Sequence, residues 1–175
     1  MTDPNTDLNA LRTQIDAIDG ELHKLLMQRF AITAEVARAK GAAGDPSLIP
    51  RPVRERDIIA QRLRHHSGPM PTTSLIRIWK EIMGAACHQQ GDFKIGVAAE
   101  PFSALGLAAR DHFGTAVHLL FGDAQALAAD LRARKLALIA LEYEVRVPAG
   151  LFTVGELEFD GAHVGRLLSI HEPKG

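Results

Sequence analysis

Between Leu8 and Lys40 the chain has no proline and a single glycine, Gly20. Along this stretch Leu8, Leu11, Ile15, Ile18, Leu22, Leu25, Arg29, Ile32 and Val36 recur at alternating spacings of three and four. That alternation is the seam of a helix packed lengthwise against another helix. Thr6 or Asp7 is suited to cap its start, and Gly41, Gly44 and Pro46 to end it. A helix of about 34 residues runs about 50 Å at ~1.5 Å per residue. A domain of about 90 residues is far narrower than that. The seam must therefore be covered by a second chain, and geometry alone predicts a dimer.

Composition narrows the remaining choices. The 175 residues are 46% apolar, too much Leu, Ile, Val and Ala for disorder. Lys and Arg total 20 against 21 Asp and Glu, so no basic excess points to nucleic acid or anionic lipid. One cysteine, Cys87, excludes an intrachain disulfide framework and a multi-cysteine metal cage. No apolar run approaches the roughly 18–20 residues of a membrane helix. The acidic, polar start from Met1 to Asn9 is unlike a signal peptide, so a soluble, cytoplasmic protein is expected. Charge and pattern both change near Gly91-Asp92. Residues 1–90 carry 12 basic and 10 acidic side chains, net +2, whereas residues 91–175 carry 8 and 11, net −3. We therefore divide the chain into residues 1–91, all-helical, and residues 92–175, a small α/β module.

Two further helices are expected in the first part. One runs from Val53 to about His66 with Ile58, Ile59 and Leu63 on a face. The other starts at Thr72 or Thr73, carries Leu75, Trp79, Ile82, Met83 and Ala86, and ends near Gln90-Gly91. Three helices of such unequal length suit a bundle whose first helix is shared between subunits.

Polar residues on the apolar faces carry the functional signal. Arg29 occupies a seam position, where an unpaired guanidinium costs several kcal/mol. Lys40, 11 residues on, returns to within about 20° of it, so the two share a face. Gln90 stands in the same relation to Trp79. Arg12 lies about 100° around the helix and ~25 Å from Arg29, so the two can meet over a small ligand only across an antiparallel dimer. Several inward cations without matching carboxylates imply a small anionic ligand. The plainer alternative pairs Arg29 with Glu55 or Glu35, makes Lys40 a helix C-terminal cation and leaves Gln90 on the surface.

The stretches LRTQIDAIDGELHKLLMQRFAITAEVARAK, VRERDIIAQRL and IRIWKEIMGAACHQQ resemble the all-helical chorismate mutases over about residues 8–90. That family's pattern has an arginine in L-R-x-x-I-D, another in a mid-helix L-x-x-R, a lysine closing the first helix, an R-E pair opening the second and a late glutamine in the third. These fall on Arg12, Arg29, Lys40, Arg54 with Glu55, and Gln90. The resemblance implies a three-helix intertwined homodimer and a cofactor-free Claisen rearrangement of chorismate to prephenate, serving aromatic amino-acid biosynthesis. It further implies that Arg12 of the partner chain and Arg29 grip the substrate carboxylates, with Arg54 assisting. Lys40 and Gln90 would donate to the ether oxygen, and Glu55 would accept from the ring hydroxyl. Two positions depart from the pattern. Ala86 stands where some members have a serine, and Arg51 where some have an aspartate.

The second part reads as short strands alternating with helices. Strands are expected over 93–98, 117–121, 136–141, 151–159 and 164–170, with helices at 103–113 and 124–134. No dinucleotide fingerprint or phosphate loop is present. The stretches KIGVAAEPFSALGLAARDHFG and HVGRLLSI resemble parts of prephenate dehydratase, which is often fused to helical mutases in bacteria. In that resemblance Gly165 replaces a catalytic threonine and Leu167 a phenylalanine. Without a hydroxyl at 165 there is no acid for the leaving group, so we read the module as a degenerate, non-catalytic one. The eight histidines fit no metal-ligand spacing and are expected in surface or cap roles, Cys87 in the core, and ELEFD (156–160) at a solvated edge.

Two rival functions remain open on sequence. One is an isochorismate-pyruvate lyase of the same fold, against which Glu55 and Gln90 weigh. The other is a non-catalytic metabolite-binding or regulatory protein. Since every assigned group lies at or before Gln90, deletion of residues 92–175 is expected to leave turnover largely intact, with the α/β part able to touch the site only near Gln90.

Overall fold

The computed structural model describes residues 4–42, 52–91 and 94–172. By contacts the chain falls into two units, Met1–Gly44 and Asp45–Gly175, and each is taken by itself.

The first unit is one helix, α1 (Pro4–Ala42), of 39 residues. It begins earlier than expected, so residues 6 and 7 lie inside its first turn and do not cap it. Proline is tolerated there because the first helical N–H groups have no intrahelical partner in any case. Gly41 falls within the helix, while Gly44 and Pro46, expected to stop it, lie outside the described residues. The seam is open: Leu8, Leu11, Ile15, Ile18, Leu22, Leu25, Ile32 and Val36 are all 44–62% exposed.

The second unit begins with α2 (Pro52–Arg64) and α3 (Thr72–Gln90). α3 starts at Thr72, as expected. Pro71 holds the N-cap position with extended backbone and no side-chain bond. A five-stranded sheet follows. β1 (Lys94–Val97) lies between β2 (His118–Phe121) and β3 (Leu138–Glu142) and is parallel to both. β5 (Ala162–Ser169) runs antiparallel to β3, and β4 (Phe152–Phe159) closes the sheet as an antiparallel edge, giving the order β2-β1-β3-β5-β4. The two strands of the last pair meet at Asp160-Gly161, with φ of 51° and 78°. Positive φ at both residues is what a two-residue hairpin of this twist requires, and Asp-Gly supplies it.

Pleat alternation sorts the core into two layers. Ile95, Val97, Leu138 and Ala140 face α4 (Ala104–Phe113), which contributes Leu105, Ala108, Ala109 and Phe113. Ile139, Leu141 and Leu168 face α5 (Ala124–Arg132) through Leu127, Ala128 and Leu131. Covered on both sides, β3 reads as an unbroken apolar run. Each helix is started by a side chain. Ser103 Oγ accepts from the Gly106 N–H at 3.1 Å, and Asp123 Oδ1 accepts from Gln125 and Ala126 at 2.9 and 3.1 Å. Both strand ends and helix ends fall within a few residues of the expected ones. ELEFD lies on the edge strand, with Leu157 alone turned inward.

The break in sequence character at 91/92 is not where contacts thin out. α3 lies directly on the end of α4, and a Cβ added at Gly84 would sit 2.0 Å from the Phe113 carbonyl oxygen. Residues 45–175 therefore hold together as one unit across that break. Gly84→Ala should lower the stability of this unit by about 1–3 kcal/mol, because the obstacle is backbone and cannot rotate away. Thermal unfolding followed by circular dichroism checks this. An unchanged or raised midpoint would show that the two helices can separate freely.

Candidate active site

Of the six residues singled out by sequence, three lie on α1. Arg12 is exposed and Arg29 half-buried, and along one helix they stand about 25 Å apart. The Lys40 side chain lies outside the described residues, as does Arg51.

The other three lie in the second unit. Arg54 is exposed in the first turn of α2, and the neighbouring Glu55 points inward with its side chain only 16% exposed. Gln90, half-buried at the end of α3, donates one amide hydrogen to the Ala86 carbonyl four residues back, at 3.1 Å. That bond fixes the direction of the amide. Among the described residues no hydrogen bond or ion pair joins Arg54, Glu55 and Gln90 to one another.

What Glu55 does meet was not foreseen. Its Oε2 lies 3.7 Å from Nε2 of His112, a residue of α4 read from sequence as a surface or cap histidine. Burial pushes the Glu55 carboxyl up to about 7. It also pushes the His112 imidazole down to about 4, aided by the Lys80 charge and opposed by Asp111. The α/β half therefore touches an assigned group at the start of α2, and the expectation that it could reach the site only near Gln90 is corrected.

Around this point α3 and α4 are bound by charge. Asp111 accepts from Lys80 Nζ at 2.8 Å and from Arg77 Nε at 3.1 Å. Burial pushes the Asp111 carboxyl upward, but the two cations outweigh it and hold it below the usual range. Glu81 Oε2 accepts from both the backbone N–H and the hydroxyl of Thr115, each at 3.0 Å. The sequence did carry a signal for this: Arg77, Lys80, Glu81 and Gly84 recur at three- and four-residue spacing and so share one face of α3.

The strand compared with the dehydratase threonine is closed to that chemistry. A Cβ at Gly165 would stand 2.7 Å from the Leu141 carbonyl oxygen and 2.5 Å from Leu105 Cδ1. The following Arg166 donates to the carbonyls of Tyr143 and Val145 and lies over the Tyr143 ring, so its guanidinium holds the turn after β3.

Within the second unit, an inward carboxyl stands at the start of α2 and an oriented amide at the end of α3; within the first, Arg12 and Arg29 lie on α1. Residues 11–91, a little under half of the chain, match the family described as chorismate mutase type II. The chain is also similar to the bifunctional chorismate mutase/prephenate dehydratase of Pseudomonas aeruginosa, 29% identical over 113 residues, covering 63% of this chain and 31% of that protein. The bifunctional enzyme of the same description from Aquifex aeolicus is 29% identical over 116 residues, with 64% and 32% covered. That of Neisseria gonorrhoeae is 29% identical over 109 residues, with 62% and 29% covered. The chain thus spans about a third of the length of these relatives. Sixty-three per cent of 175 residues is about 110, so the likeness to the Pseudomonas protein runs past residue 91 into the α/β half.

Glu55 gives a pH signature of stability. Below its ordinary value near 4.5 the carboxyl is neutral in folded and unfolded chains alike. As pH rises to about 7 the unfolded chain releases the proton first, so folding loses on the order of 3 kcal/mol. Glu55→Gln should therefore be more stable than the native chain at pH 8 and equal to it at pH 4. Urea unfolding at the two pH values measures this. A difference of the same size at both would show that the carboxyl titrates normally.

Proposed function

We propose that the chain acts as a homodimeric chorismate mutase, converting chorismate to prephenate without a cofactor. The reaction is an isomerisation: the enolpyruvyl ether C–O bond breaks as a C–C bond forms, and no proton or group leaves. Catalysis then consists of clamping a dicarboxylate in its folded conformer and stabilising negative charge on the ether oxygen. In this reading Arg29 and the Arg12 of a second chain hold the carboxylates, with Arg54 beside them. Lys40 and the second N–H of Gln90 donate to the ether oxygen, and Glu55 accepts from the ring hydroxyl. Residues 1–91 form the mutase part, and residues 92–175 carry no reaction of their own.

The observation that carries this reading is the open seam of α1 with Arg29 set within it. Eight half-exposed apolar side chains represent on the order of 10 kcal/mol of unrealised burial. A second antiparallel α1 would cover them and bring Arg12 of one chain to the Arg29 region of the other. The match of residues 11–91 to the type II mutases supports the same arrangement.

Purified protein should consume chorismate and accumulate prephenate, with no phenylpyruvate, and should scatter light as a dimer at micromolar concentration. Arg12→Ala and Arg29→Ala should each lower kcat/KM at least 100-fold. Exchanged heterodimers of the two should regain up to half of the sites. No recovery after exchange would place both arginines in one subunit's site, and pyruvate release from isochorismate with chorismate untouched would favour a lyase.

A further inference from the structure

A polar group from the α/β half lies beside the Glu55 carboxyl. His112 Nε2 stands 3.7 Å from Glu55 Oε2. That nitrogen is buried and has no hydrogen bond among the described residues. The imidazole is held in place from several sides. Its ring meets Phe113 edge to face, with centroids 4.7 Å apart. The preceding residue, Asp111, is tied to Lys80 and Arg77 of α3, and Gly84 admits the end of α4 against the α3 backbone. From the other side Pro52, at the start of α2, packs near Gly155 of β4, where a Cβ would approach it to 3.0 Å. The sheet thus fixes both the helix that carries Glu55 and the helix that carries His112. A buried ring nitrogen lacking a partner costs free energy unless it bonds, and a shift of well under 1 Å would give it one.

We propose that His112 is a positioning residue for Glu55. Its Nε2–H holds carboxyl oxygen Oε2 and leaves Oε1 for the ring hydroxyl of the substrate, so the α/β half completes the mutase site through one side chain. This rests on the mutase reading. Three titratable groups surround the imidazole: Glu55 from α2, Lys80 from α3 and Asp111 from α4. The burial that depresses the imidazole keeps it neutral at pH 7, where it orients the carboxylate without the charge that would compete with substrate. The kinetic consequence is that turnover needs both an ionised Glu55 and a neutral donor beside it.

The test uses the full chain with two substitutions. His112→Phe keeps the ring and its packing on Phe113 but removes the nitrogen, and His112→Gln returns an N–H near the Nε2 position. Chorismate turnover is followed from pH 5.5 to 9 for both variants and the native chain. Without its donor the Glu55 carboxyl ionises later. His112→Phe should therefore lower kcat five- to twentyfold at pH 7 and move the acid limb of kcat upward by half a pH unit or more. KM should change less than kcat, and His112→Gln should recover most of the loss. Native kcat and an unmoved acid limb in a folded His112→Phe protein overturn the role, as does a Gln variant no better than Phe. Should the Phe variant not fold, carbon-13 titration of the Glu55 carboxyl in the native chain decides. The carboxyl resonance should show a second inflection where the imidazole titrates, and a single inflection overturns the contact. A native chain that leaves chorismate unchanged overturns the mutase reading and this role with it, whereas a native-like His112→Phe enzyme overturns the role alone.

Discussion

A long helix with an apolar seam sets the terms for the helical half. α1 is 39 residues, about 58 Å at ~1.5 Å per residue, and its seam side chains remain about half exposed. Local helix propensity alone would hold such a segment weakly, since helices in water owe most of their stability to packing of one face. The seam is therefore both the reason for the length and the reason a partner is proposed. Within that seam Arg29 interrupts a run of apolar positions, and the proposed function gives it a substrate carboxylate to hold.

The second governing contact is the close approach of α3 to α4. It depends on Gly84, whose missing side chain lets the Phe113 carbonyl come close, and on the Lys80–Asp111 and Glu81–Thr115 bonds that flank it. This contact joins the helical and α/β parts at their backbones. A module that hung on a linker could be removed without consequence for residues before it. One that lies on α3 and also reaches Glu55 of α2 cannot be treated as separate. The raised Glu55 carboxyl and the depressed His112 imidazole share a cause, burial in the seam between those helices.

Much of the fold was legible because its signals are periodic. The three-four alternation gave α1, the apolar runs gave the strands, and the helices capped by Ser103 and Asp123 start within a residue of the expected places. The start of α1 was read less well, since the helix begins at Pro4, ahead of the expected caps Thr6 and Asp7, whereas α3 starts at Thr72 as expected. The larger gap concerns the site. Gln90 could be picked by spacing, and Arg54 and Glu55 by the family resemblance, but which of them faces which neighbour is a tertiary matter. His112 follows an aspartate at the end of an ordinary amphipathic helix, and nothing local distinguishes it from a capping histidine. Its role depends on Gly84, 28 residues away, and on Pro52 beneath β4. Pairings of that kind have no period and leave no mark within a single element.

Gly165 has a consequence for how this chain could change over time. Its neighbours have closed over the place where a side chain would stand: the Leu141 carbonyl belongs to the hydrogen-bonded pairing of β3 with β5, and Leu105 is part of the core beneath it. Leu105 could be made smaller by substitution, but the carbonyl is fixed by the sheet itself. A hydroxyl-bearing residue at 165 thus requires the spacing or register of two strands to shift first, and each intermediate along that route gives up packing before any chemistry is gained. The site acts as a ratchet. Sequence drift in this half is free to elaborate its surface and its contacts with the helices, but the path toward an acid on this strand is closed to single steps.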